Sequence, residues 1–226
     1  MQSDKQSGSA YAGSTARYYS GARLICVSAI ATITIDSHEF IVHADIFCEH
    51  SDYFKSCLRG NFAEAQTQSV EIEDISAEDF GLWVNAVYWY HFTTQRFVLD
   101  LSFIQILTVW KLSDRFIHKP LIDHSQKRLE HRLSLYTIEW WRDYYINHTV
   151  LESQRYIDDL QGGYCYCRAH TLPDAFSDGF VTACAKCPAQ LYATYASLLD
   201  TEFMRLVSVR VVMRHADASL IPLQES

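Results

Sequence analysis

Glycine and proline are scarce in this chain, at 8 and 4 residues of 226. No glycine-rich phosphate loop can be found among them, so nucleotide-cradling architectures are not expected. Basic residues are outnumbered, 19 Lys and Arg against 27 Asp and Glu, for a net charge of −8. That balance argues against a nucleic-acid surface, because phosphate binding relies on clustered Lys and Arg. No apolar run approaches the roughly 18 residues that cross a bilayer, so no membrane partner is expected. The first residues lack the basic-then-apolar pattern of a secretory signal. Seven cysteines, an odd number, without such a signal point to reduced thiols and an intracellular setting, nucleus or cytoplasm. Asn147-His148-Thr149 matches a glycosylation sequon, but in a chain outside the secretory route it carries no meaning. No internal repeat is apparent.

The apolar content is ample. Hydrophobic residues make up 49% of the chain and charged residues 20%, enough for one good core and an appended unit. Residues 1–21 are rich in Ser, Gly, Gln and Ala without a period, and read as a disordered tail. Leu24 to Ile35 reads as a buried strand or strand pair, Asp36-Ser37-His38 as its turn, and Glu39 to Val42 as the returning strand. Ser51 is placed to N-cap a helix with Phe54, Cys57 and Leu58 inward, and Gly60 to end it in a left-handed conformation.

Val70 to Ile75 alternates like a half-exposed strand. Ser76 with Asp79, and Ser102 with Gln105, stand at capping-box spacing. Phe80, Trp83, Val84, Val87 and Tyr88 follow the first pair at helical spacing; Phe103, Ile106, Leu107 and Trp110 follow the second. Pro120 opens a further helix with Ile122, Leu129 and Leu133 inward. Strands first and helices afterwards make an α+β fold. Beyond Ser134 only helices and loops are expected. One stripe runs through Ile138, Trp141 and Tyr145, a loop covers Gln161 to Asp178, and a long apolar-rich stretch spans Leu191 to Met213.

Five short motifs occur in a recognisable order: Phe40-Ile41-Val42-His43, Ser51-Asp52-Tyr53-Phe54, Phe62-Ala63-Glu64, the helix ending in Val87-Tyr88, and Leu112-Ser113-Asp114-Arg115-Phe116. Together they resemble the BTB/POZ domain, over roughly residues 24–133. The layout is most similar to stand-alone BTB proteins of filamentous fungi that carry a helical C-terminal extension. The resemblance implies a small mixed sheet flanked by a cluster of helices over 22–133, an all-helical extension over 134–226, and no catalysis. It also implies protein partners: a cullin scaffold met through Tyr53, Phe54, Phe62 and Glu64, with the chain acting as substrate adaptor of a ubiquitin ligase. The alternative is a homotypic assembly or transcription-associated scaffold, and homodimerisation through the Leu24–Ile35 region is expected.

Two departures from the family pattern stand out. Ala44 follows His43 where a basic residue is usual, and no Asp or Glu occurs between Asp4 and Asp36. Loss of both members of a buried charge pair is tolerable where loss of one is not. Functions built on that pocket, such as corepressor recruitment, are therefore not expected.

Other clusters have plainer readings. Cys165, Cys167, Cys184 and Cys187, with His170 spare, are candidates for a structural zinc, although C-x-C is an unusual spacing. The preferred reading places Cys184 and Cys187 one turn apart on the packed face of a helix from Phe180 to Tyr192, as buried thiols, and no cofactor is expected. His43 near Cys48 or Cys57 lacks an orienting third group and reads as a core histidine. Trp83 and Tyr88 to Phe92 read as a helix end packed into a core. Glu71, Glu73, Asp74, Glu78 and Asp79 read as a solvated strand edge and helix start. Trp140, Trp141, Tyr144 and Tyr145 surround one helix, which must be covered on two faces, either by the BTB core and the Leu191–Met213 helix together or by a partner; residues 134–226 are expected to pack on the BTB core as an integral cap.

Overall fold

The computed structural model describes residues 29–93, 101–147 and 150–219. The expected tail and the first residues of the Leu24–Ile35 run lie outside them. Strands β1 (Ile30–Ile35) and β2 (His38–His43) form an antiparallel hairpin. Its two turn residues, Asp36 and Ser37, have φ of 47° and 65°, the doubly left-handed turn whose twist matches a hairpin. β3 (Ser69–Glu71) runs parallel to β1, giving the order β2-β1-β3. β1 is not buried throughout, as its composition suggested: Ala31, Ile33 and Ile35 point inward while Ile30, Thr32 and Thr34 lie on the outer face.

Helices α1 (Ala44–His50) and α2 (Asp52–Arg59) break at Ser51, whose hydroxyl accepts from Phe54 N–H and donates to Phe116 C=O. α2 buries Phe54 and Leu58, leaving Cys57 half-covered. α3 (Ala63–Thr67) leads into β3. α4 (Ala77–Phe92) starts at Ser76, which accepts from Asp79 N–H, and α5 (Phe103–Arg115) starts at a complete capping box of Ser102 and Gln105. α6 (Lys119–Ser134) has Pro120 in its first turn and faces the core with Leu121, Ser125, Leu129 and Leu133; Ile122 is only half-buried.

The extension is helical: α7 (Ile138–Asn147), α8 (Val150–Ala169), α9 (Asp174–Ala185), α10 (Ala189–Tyr195), a 3-10 turn (Ala196–Leu198) and α11 (Thr201–Ser219). Three expectations are corrected here. Gly162 and Gly163 lie inside α8, not in a loop, and a Cβ on Gly163 would sit 2.3 Å from the Phe180 ring. Helix packing, not turn formation, selects that glycine. Pro188 breaks the helix expected from Phe180 to Tyr192, so Cys187 falls between α9 and α10. The stretch from Leu191 to Met213 is split again at Asp200, whose carboxylate accepts from Glu202 and Phe203 N–H at the head of α11.

One core runs through both halves. On α5, Phe103 meets Phe180 edge-on at 5.1 Å, Trp110 meets Phe176 at 5.0 Å, and Thr108 shares a hydrogen bond with Tyr166. Trp141 is fully buried and donates its indole N–H to Ala183 C=O, while Trp140 packs against Tyr144 and Tyr156. The cover for these aromatics thus comes from α8 and α9, not from the terminal helix. Ile138, expected in their stripe, is exposed, and the Tyr145 side chain lies outside the described residues.

Candidate protein-interaction site

α2, α3 and the turn between them build the surface on which the interaction motif falls. Phe62 is the residue before α3, in extended conformation, and 59% of its surface is open to solvent. Gly60 makes the approach possible: a Cβ there would lie 2.2 Å from the Ser56 carbonyl oxygen. Its φ of −81° is not left-handed, so the requirement is space and not backbone handedness. Gln68 closes the other end in the left-handed region, φ 52°. Its side-chain N–H group donates to Leu58 C=O at 3.0 Å and Ala65 C=O at 2.7 Å, tying α3 to α2. An exposed aromatic ring on a turn braced at both ends has the makings of an anchor, because little conformational freedom is left to lose on binding.

Tyr53, Cys57 and Glu64 share this face. Tyr53 is half-buried, edge-on to Phe54 at 5.0 Å and tilted against Phe116 at 5.3 Å. Burial pushes the pKa of the Tyr53 hydroxyl up, reinforced by Cys57 beside it and, less, by the Glu64 carboxylate; Arg115 opposes. Burial also raises Cys57. Phe54 is different. It has no exposed surface and stacks on Trp83 at 5.7 Å, so a direct partner contact is corrected to a core role that holds α2 in place. Cys57, Gly60, Gln68 and Arg115 were not singled out for this surface. Only the glycine two residues before Phe62 offered a signal in the sequence.

The other candidates separate in space or fill other roles. His43 brings its backbone N–H and its Nδ1 to the Tyr88 hydroxyl, each at 2.9 Å, while the Cys48 thiol donates to Phe54 C=O. These are structural bonds, not a nucleophile with its base. Cys165 is exposed and Cys167, Cys184 and Cys187 are buried. Neither these thiols nor His170 appear in any set of three or more metal-ligating groups within 4.8 Å of one another among the described residues. Burial pushes Cys167 and Cys184 up to about 12, which disfavours the thiolate that zinc requires. The acidic residues Glu71, Glu73, Asp74 and Glu78 lie exposed along the edge of β3 and the start of α4. No described helix is long and apolar enough to cross a membrane.

Comparison with known proteins agrees with this geometry. No curated protein sequence matches the chain. Residues 31–133 match the family model of the BTB/POZ domain, and the matched segment runs from β1 to the last turn of α6. BTB/POZ domains are protein-interaction modules. Over residues 31–133 the three-stranded mixed sheet and helices α1–α6 have the BTB/POZ fold, extended by α7–α11.

Proposed function

We propose that this chain is a non-catalytic adaptor that brings a substrate to a cullin-based ubiquitin ligase, acting in the nucleus or cytoplasm. The observation that carries the reading is Phe62, open to solvent on a braced turn, with the Glu64 carboxylate two residues on. The ring fills an apolar groove of the cullin, and Glu64 with Tyr53 fixes the register. The substrate docks on the extension, away from Phe62. Binding of a cullin N-terminal domain to the full chain, measured by calorimetry, tests this. Phe62→Ala weakens it by about 1–2 kcal/mol or more, roughly 5- to 30-fold. Unchanged affinity in the folded variant removes the reason for naming a cullin.

A second reading rests on a different surface. Ile30 and Ile41 lie 61% and 72% exposed on the outer face of the hairpin, diagonal neighbours in the β1–β2 register. Among the described residues β2 is an edge strand, and exposed apolar edges invite pairing. This favours a homodimer, whether as part of the adaptor or as an assembly scaffold without a cullin. Sedimentation at tens of micromolar, about the range for weak interfaces, separates the cases: a strict monomer rules self-association out.

A further inference from the structure

Where α1 and α4 end, three side chains with metal-binding atoms converge. Glu49 and His50 are the last two residues of α1, and His91 lies in the last turn of α4. Glu49 Oε1 is 3.7 Å from His50 Nε2, and Glu49 Oε2 is 3.5 Å from His91 Nδ1. The ligating atoms of all three residues lie within 4.8 Å of one another. The carboxylate distances are too long for hydrogen bonds. They are close to the edge of about 3.3 Å that bonds of about 2.0–2.1 Å give a tetrahedral ion.

The surroundings favour a cation held by nitrogen. Two helix C-termini bring their partial negative ends to one place. The rings are held by other rings: His50 lies 6.0 Å from Tyr90, 6.3 Å from His91 and 5.7 Å from His118, and His91 meets Phe92 edge-on at 5.1 Å.

An independent observation comes from His118, whose ring packs on His50. It is fully buried, and its Nδ1 accepts from Leu121 N–H at 3.3 Å. The proton of the neutral ring is therefore on Nε2, and that buried atom has no hydrogen-bond partner. A buried donor left unmade is costly. The ring that carries this unmet donor lies 5.7 Å from that of His50. Two imidazoles and one carboxylate select a zinc-class ion over calcium or magnesium, which prefer oxygen throughout.

We propose that Glu49, His50 and His91 bind one zinc-class divalent cation, which clamps the end of α1 to the end of α4. The test is titration of the chelator-stripped full chain with cobalt(II), followed by absorption, and with zinc, followed by calorimetry and thermal unfolding. One ion is expected to bind, without the thiolate-to-cobalt charge-transfer band that cysteine ligands give. His91→Asn and Glu49→Gln each weaken it at least tenfold and shrink the zinc-induced rise in unfolding temperature. Glu49 is 32% exposed, so its isosteric amide keeps the fold and decides the matter if His91→Asn does not fold. Thiolate bands, equal affinity in Glu49→Gln, or no uptake by the wild type would each overturn the proposal.

Discussion

The indole N–H of Trp83 donates to the hydroxyl of Ser113 at 3.0 Å, and both residues are wholly buried. Ser113 in turn donates to Val109 C=O at 2.6 Å, so one small hydroxyl satisfies a buried tryptophan of α4 from within α5. Ser113→Ala strands the indole donor in an apolar core and costs about 1–3 kcal/mol. Urea unfolding measures it. In the Trp83→Phe background, where no donor remains, the same change costs clearly less; equal costs in both backgrounds would mean the bond contributes nothing.

Gly163→Ala tests the contact between α8 and α9. A methyl group at this position meets the Phe180 ring at 2.3 Å, and that ring is itself packed edge-on against Phe103 at 5.1 Å. Overpacking costs about 1–3 kcal/mol, set against a gain of up to about 1 kcal/mol in helix propensity. Net destabilisation is expected, and Phe180→Leu combined with it should recover part of the loss. A stabilised Gly163→Ala would show that the two helices are free to part.

Stability should fall in alkali. Cys167 and Cys184 ionise in the folded protein at about 12, raised by burial from an ordinary value of 9.0. The unfolded chain therefore releases these protons first. Stability is full below pH 9 and is lost as pH rises from there towards 12, by about 1.4 kcal/mol per pH unit for each thiol. Cys184→Ala lowers the slope of unfolding free energy against pH by that amount, whatever it does to stability at neutral pH. An unchanged slope would mean that the thiol reaches water without unfolding. Mass-spectrometric mapping with a maleimide adds a check: exposed Cys165 labels before Cys167, Cys184 and Cys187.

Limited proteolysis should fail to isolate residues 31–133. The junction after α6 is short, Tyr136 is buried, and Trp141 is tied to α9. A stable fragment ending near Ser134 would show that the extension is only tethered.

What could be read from the chain was what neighbouring residues decide among themselves. The hairpin turn, the break at Ser51 and the caps at Ser76 and Ser102 all rest on contacts within a few positions. The Phe62-Ala63-Glu64 turn was legible as a motif, but its bracing by Gln68 reaches back to Leu58 and has no local signature. Gly162-Gly163 was misread because glycine pairs favour loops on local grounds, while Phe180 lies seventeen positions away. Phe54 was grouped with its half-buried neighbour Tyr53 because helical periodicity does not say which face Trp83 and Phe116 will cover. His50 and His91 are 41 positions apart in sequence, and only helix ends that happen to meet bring them together.

The shared face of α5 also has a consequence in time. The BTB/POZ half is complete in sequence at Leu133, yet Phe180, which covers Phe103, and Ala183, which receives the Trp141 indole, are made about fifty residues later. At ~5–20 residues per second that interval lasts roughly 3–10 s. A nascent chain thus carries α5 with one apolar face bare for seconds before α9 arrives, a window in which chaperones can bind it.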